Sequence, residues 1–420
     1  MSKSTSIISL FLIFLGITLP AAEPNWPQWR GPNRDGISTE SGLLKSWPEG
    51  GPKLEWSNKG LGSGFASVAI HEGQIFTMGN RKDGQFLIAL SLADGSEQWA
   101  TKVSGAENNG SRSTPTVDGN LVFTLSSSGD LICCETKSGK EVWKKNFARD
   151  FGGKMMSGWG YCESPLVDGE HLICTPGSNS AAMAALNKLT GDVVWKCETP
   201  NLGRSGKDGA GYSSIVISEA CGIRQYVQLL GRGVIGVSAA DGKFLWNYNR
   251  IANGTANIPT PIIRDEFVFC STGYQTGAAL LKLVKDGSGV KAEEVYFHNG
   301  NTLQNHHGGM LLVGDYLYGG HGHNNGLPVC VKFSTGEIMW GPERGPGTGS
   351  AAVVYADGRL YFRYQNGVMA LIEASPKGLN LLGTFNIPEA RQPSWQHPVV
   401  AGGKLYLREQ DHLHCYRLTQ

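Results

Sequence analysis

Short apolar strands separated by glycine or aspartate turns recur along the chain, and many of them end in tryptophan. In five places a glycine precedes this tryptophan by four residues: Gly95 and Trp99, Gly139 and Trp143, Gly191 and Trp195, Gly242 and Trp246, Gly336 and Trp340. Segments such as residues 89–94, directly before these pairs, alternate apolar and polar residues, which is typical of half-buried strands. The pattern predicts hairpins whose second strand ends in a bulky aromatic residue, here called a plug position.

The plug positions are spaced as in a repeat. Successive tryptophans from Trp99 to Trp246 lie 44, 52 and 51 residues apart, and the next gap, to Trp340, is 94 residues. This long gap corresponds to two repeats, and Tyr296 stands where the missing aromatic residue belongs. Trp56 before the series and Phe385 after it complete eight predicted plug positions.

A second set of short apolar strands lies between the plug positions, also in eight copies, for example residues 113–117 and 164–167. Two hairpins in a unit of about 45 residues are typical of a four-stranded propeller blade. The chain ends on two strands with no plug strand after them, whereas the strand of Trp56 has no blade before it. Pairing the two closes the ring, and a solenoid, the alternative, would leave both unpaired. The sequence therefore predicts an all-β, eight-bladed β-propeller of four-stranded antiparallel blades, closed by pairing N-terminal and C-terminal strands.

The first 22 residues are typical of a secretory signal peptide. Lys3 precedes an apolar run at residues 7–17, and Ala21 and Ala22 offer a cleavage site. The run is shorter than the roughly 20 residues of a membrane-spanning helix, although an uncleaved anchor is the alternative. The first cysteine is Cys133, so none stands at the cleavage site to carry a lipid.

We therefore expect an exported protein, periplasmic or extracellular, with no transmembrane segment in the mature chain. The predicted organisation is an N-terminal extension at residues 23–52 followed by the propeller at residues 53–420. Composition agrees with a β-rich repeat protein, with 58 glycines, 11 tryptophans and only 17% charged residues. The formal net charge of +1 gives no field that would favour nucleic acid. We expect a monomer that does not bind nucleic acid.

The Gly-x-x-x-Trp repeats, preceded by Ala-Leu or Cys-Val strands, resemble the PQQ-like propeller superfamily. That superfamily includes quinoprotein alcohol dehydrogenases and a lipoprotein of the outer-membrane β-barrel assembly machinery. Residues 26–36, WPQWRGPNRDG, also resemble a mature N-terminus common in exported, largely uncharacterised members. The resemblance implies the propeller fold, but enzymes and scaffolds share that fold, so function must come from the site.

Cys133 and Cys134 are the residues that could match the vicinal disulfide that the resemblance implies beside a quinoprotein cofactor. Relative to its turn glycine, however, Cys133 occupies the place of Ala89, Ala185 and Cys330, a packing position for small residues. Neighbouring residues of a strand also point to opposite faces, which opposes a bridge between them. We interpret both as packing thiols.

Other elements of the quinoprotein dehydrogenases are not found. The resemblance implies a catalytic aspartate and a calcium site on insertions between strands, which we cannot match here, and there is no haem motif. We therefore assign no catalytic residue and no metal ligand.

Two pairs of histidines flank one predicted hairpin, with His306 and His307 before it and His321 and His323 after it. A turn at Gly314 would place His307 opposite His323. Two imidazoles at one rim could bind a transition metal, but no acidic residue completes a set of ligands. We prefer a structural or ligand-contacting role for these histidines.

Polar and aromatic residues collect in the segments that enter the predicted inner strands, which converge on one mouth of a propeller. Such mixtures are typical of ligand sites, the alternative being a water-filled channel without ligand. Arg112 and His307, 195 residues apart, could jointly hold an anionic group there. The candidate ligand-binding residues are Arg112, Trp159, Tyr161, Glu163, Tyr212, Asn257, His307, Trp395 and His397.

We expect a non-catalytic binding or scaffold protein that takes a protein, a peptide or a small ligand at this mouth, without a cofactor. The alternative is a quinoprotein-type alcohol oxidoreductase with PQQ at the mouth, held by Arg112, Trp159 and the histidines. A hydrolase ranks third, because no nucleophile motif is present.

Overall fold

The computed structural model describes residues 23–391 and 393–420, so the predicted signal peptide, residues 1–22, lies outside the described residues. Two short strands, β1 (Ile37–Ser38) and β2 (Leu54–Lys59), precede the first blade. Within the described part the helical elements are α1 (Phe147–Phe151) and a 3-10 turn at Ala220–Gly222. No helix there is long and apolar enough to cross a membrane.

The first four blades are four-stranded antiparallel sheets whose strands follow chain order from the innermost outwards. Their strands are β3 (Ala69–His71), β4 (Gln74–Arg81), β5 (Gly84–Ser91) and β6 (Glu97–Ser104); β7 (Thr116–Asp118), β8 (Leu121–Leu125), β9 (Asp130–Glu135) and β10 (Glu141–Asn146); β11 (Leu166–Asp168), β12 (His171–Cys174), β13 (Met183–Asn187) and β14 (Val193–Cys197); β15 (Val216–Ser218), β16 (Gln225–Leu230), β17 (Gly233–Ser238) and β18 (Phe244–Tyr248).

Blades 5 to 7 repeat this arrangement, and blade 8 supplies only three strands from the C-terminal part of the chain. Their strands are β19 (Ile262–Arg264), β20 (Phe267–Thr272), β21 (Gly277–Asp286) and β22 (Gly289–Asn299); β23 (Met310–Val313), β24 (Tyr316–His321), β25 (Leu327–Lys332) and β26 (Ile338–Trp340); β27 (Ala351–Ala356), β28 (Arg359–Tyr364), β29 (Val368–Glu373) and β30 (Leu381–Asn386); β31 (Val399–Ala401), β32 (Lys404–Glu409) and β33 (His412–Arg417).

The two ends of the ring join in blade 8. Strand β2 lies antiparallel to β33 as the fourth strand, with Trp56 opposite Cys415 and Asn58 opposite Leu413. This confirms the predicted eight-bladed fold and its closure. Strand β1 adds a fifth, parallel strand to the inner edge of blade 7, where Ile37 lies opposite Tyr355.

The plug tryptophans join neighbouring blades. Trp99 lies opposite Ala89 within its own blade, and a β-bulge falls directly before it. Its indole N–H donates to the Thr136 carbonyl of the next blade over 2.9 Å. Gly139 of that next blade has φ +68°, and a Cβ there would overlap the Trp99 ring, so the position requires glycine. The glycine and tryptophan of the motif therefore act in different interfaces: each glycine receives the aromatic ring of the preceding blade.

Blade 7 departs from the predicted plug pattern. In blade 2 the bulge separates Glu141 from Trp143, but in blade 7 the corresponding shift leaves Gly383, not Phe385, at the plug position. The prediction of Phe385 as the plug residue was therefore wrong by two residues. Phe385 was chosen because it is the aromatic residue of this strand that lies nearest to the expected spacing and on the same strand face. Trp47 of the N-terminal extension fills the space above Gly383. Its ring centre lies 5.8 Å from that of Tyr361 and its backbone N–H donates to Leu382.

Cys133 and Cys134 belong to the cores of the blades. Cys133 packs in a cluster with Phe123 and Trp143, whereas Cys134 packs in a different cluster with Phe76. Both are fully buried free thiols on opposite faces of β9, and burial raises the pKa of each. This geometry supports the packing role inferred from the repeat.

Candidate functional site

The segments that lead into the innermost strands surround a cavity of about 310 Å³ at one mouth of the ring. We call this cavity the cup. Its walls are largely aromatic, and the rings that line it are those of Trp29, Phe65, Trp159, Tyr212, Tyr274 and Trp395. A concave, mostly apolar cavity with a few polar groups is the usual form of a small-molecule site.

Six of the nine candidate residues line the cup. They come from segments that precede β7, β11, β15, β23 and β31, and they are Arg112, Trp159, Tyr212, His307, Trp395 and His397. Residues separated by hundreds of positions therefore meet because each occupies the same place in its own blade.

The other three candidates lie inside the blades. Glu163 is 2% exposed and accepts hydrogen bonds from the backbone N–H and hydroxyl of Thr175. The Tyr161 hydroxyl donates to the Pro176 carbonyl, and the Asn257 amide donates to Leu230. Side chains alternate along the extended segment before β11, so Cys162 lines the cup while its two neighbours point into the protein. Tyr161, Glu163 and Asn257 thus do not line the cup.

The floor of the cup comes from the N-terminal extension. Trp26 exchanges backbone hydrogen bonds with Ile70 of blade 1, and the Pro27 carbonyl accepts from Val117 of blade 2. Further along, the Gly36 carbonyl accepts from Tyr355 of blade 7. Residues 26–38, here called the floor segment, therefore bond to blades 1, 2 and 7, and Trp29 and Arg30 bond to residues of blades 5 and 6 on the opposite side of the ring. The sequence analysis singled out residues 26–36 as a motif, but it did not predict that residues of this motif line the ligand site.

Two side chains of the floor segment line the cup. Trp29 lies with its ring centre 4.4 Å from that of His397 and donates its indole N–H to the Thr260 hydroxyl over 3.3 Å. Arg30 donates to the backbone carbonyls of Asp35 and Met310 over 2.9 and 2.6 Å. Burial lowers the pKa of Arg30 to about 10, so the guanidinium remains charged at neutral pH.

The histidines form a neutral cluster at one wall. The rings of His306 and His323 lie 4.2 Å apart, so His306, rather than His307, faces His323, and the predicted register was wrong by one residue. His306 contacts the Ser350 hydroxyl through Nδ1 and the Tyr274 hydroxyl through Nε2, at 2.6 and 3.3 Å. Burial lowers the pKa of His306 to about 3 and that of His307 well below its usual value. Among the described residues, no three His, Cys, Asp or Glu side chains are arranged to hold a metal ion.

Four nitrogen atoms of residues that line the cup are buried without a hydrogen-bond partner in the described chain. They are Nε of Arg30, Nη1 of Arg112, Nε2 of His307 and Nδ1 of His323. Arg112 contacts the Glu107 carboxylate through Nη2 over 3.4 Å, and its side chain is only 7% exposed. A buried polar group without a partner costs about 1–3 kcal/mol, which a bound ligand can recover.

The lining does not fit a quinoprotein cofactor with its calcium ion. Calcium takes six to eight oxygen ligands, mainly carboxylates and carbonyls, but no Asp or Glu occurs among the described residues that line the cup. Cys133 and Cys134 lie in the blade cores rather than at the mouth. The cup offers aromatic surfaces, two guanidinium groups and neutral imidazoles, which can bind a ligand but include no carboxylate to act as a base.

Comparison with known proteins gives a family and a fold. The sequence profile described as "Outer membrane protein assembly factor BamB" matches residues 82–342, more than half of the chain. A comparison of this chain with curated protein sequences finds no match. The chain is similar in structure to the quinohemoprotein alcohol dehydrogenase from Comamonas testosteroni, with a TM-score of 0.65 and 12% identity over 94% of this chain and 80% of that one.

Two further solved structures share the fold. The computationally designed Ika8 protein has a TM-score of 0.60 and 9% identity, covering 87% of this chain and 100% of that chain. A europium-containing methanol dehydrogenase has a TM-score of 0.54 and 11% identity, covering 91% and 89% of the two chains. At these identities the likeness concerns the fold alone.

Proposed function

The chain belongs to the PQQ-like propeller family described as outer membrane protein assembly factor BamB, and on that premise we propose that it is an exported, non-catalytic binding protein whose cup takes a ligand or part of a partner. The observation that carries the proposal is the set of unpartnered buried nitrogens, among them those of Arg112 and His307, in a cavity with aromatic walls. The segments that supply Arg112 and His307 belong to two separate blades, and neither unpartnered nitrogen forms a hydrogen bond to another blade.

The frame around the cup supports a rigid binding role. The Trp395 indole N–H donates to the Gln365 side chain over 2.8 Å, and the Tyr212 hydroxyl bonds with Ser157 over 2.6 Å. These contacts fix the rings before any ligand arrives, which reduces the entropy lost on binding. Export is part of the proposal because of the signal-peptide pattern predicted at residues 1–22 and the family's description as an outer membrane assembly factor.

Mass spectrometry of co-purifying molecules tests this function. The wild type and the Arg112→Ala/His307→Ala variant are purified side by side, first as intact complexes and then after denaturation to release small molecules and peptides. We expect a ligand or partner that is present with the wild type and lost from the folded variant. Equal recovery from both proteins would exclude the cup as the binding site.

The quinoprotein alternative has its own test. PQQ and calcium are added to the purified protein, and the absorbance spectrum and the alcohol-dependent reduction of a dye are measured. Because no carboxylate lines the described cup, we expect no alcohol-dependent dye reduction. If the wild type reduces the dye and the Arg112→Ala variant does not, the function is alcohol oxidation at the cup and not ligand binding alone.

A further inference from the structure

We propose that the occupant of the cup is a small aromatic carboxylate, whose ring lies against Trp159 and Trp395 and whose carboxylate group binds Arg112 and His307. This inference rests on the proposed function and names its class of ligand. It follows from three features of the cup: its charge, the placement of its rings and its size.

The charge of the cup favours an anion. Arg30 and Arg112 are the charged residues among the described lining, and no carboxylate lines the cavity with them. Glu107 partly neutralises Arg112 from outside the lining, whereas the side-chain hydrogen bonds of Arg30 go only to backbone carbonyls. A buried charge without an opposite charge is costly, and a bound anion removes part of that cost. The same guanidinium groups disfavour an organic cation, although aromatic walls alone would suit one.

The polar atoms available to an anion are hydrogen-bond donors. Nη1 of Arg112 can only donate, and it is buried without a partner in the described chain. His307 is kept neutral by burial, and its unpartnered Nε2 donates when the proton resides on that atom. A guanidinium and an imidazole N–H together suit the two oxygens of a carboxylate.

The rings of the cup leave a space for a flat, apolar body. The Trp395 ring lies 4.8 Å from that of Phe65 and 4.9 Å from that of His307, so its position is fixed from two sides. Trp159 stands 6.5 Å from Trp395 at a steep angle, and it is 44% exposed at the entrance. Offset or edge-to-face contact with such rings stabilises an aromatic ligand beyond its buried area.

The size of the cup limits the ligand to a small molecule. A volume of about 310 Å³ lies at the lower end of the range for ligand pockets. The floor segment lines the cavity with Trp29 and Arg30 and is bonded to several blades, so it occupies part of the ring at this point. One or two fused rings with a carboxylate match these dimensions better than a folded peptide segment does.

Isothermal titration calorimetry of the full-length protein with matched small-molecule probes tests which class of ligand the cup binds. The probes are 2-naphthoate, its neutral amide 2-naphthamide, and cyclohexanecarboxylate, which keeps the charge but lacks the aromatic ring. The proteins are the wild type, Arg112→Gln and, as the matched control, Arg264→Gln. Arg264 also pairs with a carboxylate, that of Asp315 at 3.0 Å, but does not line the cup.

We expect 2-naphthoate to bind the wild type at least about tenfold more tightly than either of the other probes, and Arg112→Gln to remove most of that advantage. Arg264→Gln should bind like the wild type. Circular dichroism and a denaturation midpoint establish that each variant is folded. Trp159→Ala provides a second variant at an exposed position, and it should weaken 2-naphthoate more than cyclohexanecarboxylate.

Each contrary result has a distinct meaning. If 2-naphthamide binds as tightly as 2-naphthoate, the anionic part of the proposal is wrong while binding at the cup stands. Glucose and benzyltrimethylammonium are titrated as further probes. If either binds in an Arg112- or Trp159-dependent manner and 2-naphthoate does not, the ligand class is overturned and the proposed function survives. If no probe binds and no molecule co-purifies with the wild type, both proposals fail.

Discussion

Trp143 and Trp395 show how differently the ring of blades and the cup use the same side chain. The indole of Trp143 donates to the Lys188 carbonyl of the next blade, and Gly191 packs against its face. The indole of Trp395 is also held by a hydrogen bond, to Gln365, but this residue lines the cavity. Positions that repeat in nearly every blade are thus occupied by blade-to-blade contacts, whereas several positions before the innermost strands face the cavity.

Blade 7 shows that an aromatic side chain fills the plug position even where the blade's own strand does not supply one. Gly383 has φ +151°, a conformation that favours glycine, and it leaves room for Trp47 from the extension. The N-terminal extension therefore serves both regions, because Trp47 completes the ring while Trp29 and Arg30 form the floor of the cup.

The sharpest contrast between the two regions is expected at Trp246. This side chain is 4% exposed and packs among residues of blades 4 and 5. Trp246→Ala should destabilise the protein by about 3–5 kcal/mol, because a large buried ring leaves a cavity. The free energy of unfolding, measured by denaturant titration, checks this. A midpoint close to that of the wild type would show that the plug positions do not hold the ring together.

Trp47→Ala extends the comparison to a residue outside the repeats. The ring is 6% exposed and contacts Tyr361 and Phe385, so we expect a loss of about 3 kcal/mol in the same titration. Trp159→Ala, at the entrance of the cup, is the matched control and should change stability by about 0.5 kcal/mol or less. If both variants lose only about as little stability as Trp159→Ala is expected to lose, Trp47 does not contribute to holding the ring of blades together.

Acidic pH should destabilise the cup, because its histidines are folded in their neutral form. Burial lowers the pKa of His306 and of His397 to about 3, whereas the unfolded chain titrates near 6.5. Their contribution is complete above about pH 6.5 and is lost as the pH falls towards about 3. Glu163 acts in the opposite direction, since burial raises its pKa to about 7 and its contribution is lost as the pH rises through that value.

Because several histidines oppose this one carboxylate, stability should fall by about 2 kcal/mol between about pH 6.5 and about pH 5. Denaturant titrations at several pH values measure this loss. His306→Gln should flatten the pH dependence, and a curve that stays the same in this variant would place the titrating groups elsewhere.

The smallest effect on stability is expected at the candidate ligand contacts. The side chains that Arg112→Ala/His307→Ala removes are largely buried, but the loss of their unpartnered nitrogens offsets part of the lost packing, so the free energy of unfolding should change by about 0.5 kcal/mol per site or less. Conversely, a loss as large as that of Trp246→Ala would mean that these residues serve the fold.

The fold was predictable because its signal is repeated. The glycine and the aromatic residue recur in nearly every blade, so the number of blades and the closure at Trp56 followed from spacing. Phe385 was misassigned because Gly383, without a side chain, carries no such signal, and the residue that replaces it, Trp47, lies more than 300 positions earlier.

The site was predictable only in part because its residues do not repeat. The place before each innermost strand identified Arg112 and His307, but it does not tell which of two neighbours faces inwards, and Glu163 was therefore included. Trp29 and Arg30 could not be placed from sequence, since only the path of residues 26–38 across the ring brings them to the cup.

The central claim is that the cup binds ligands, whereas the stability of the ring of blades does not depend on the ligand-contacting side chains. Binding of 8-anilinonaphthalene-1-sulfonate, an aromatic anion that fluoresces in apolar surroundings, tests this most directly. Wild type and Arg112→Ala/His307→Ala are titrated under native conditions after their denaturation midpoints have been measured. The account predicts saturable binding of one probe per wild-type chain, and affinity at least about tenfold lower in a variant of unchanged stability. Equal affinity in the two equally stable proteins would contradict it.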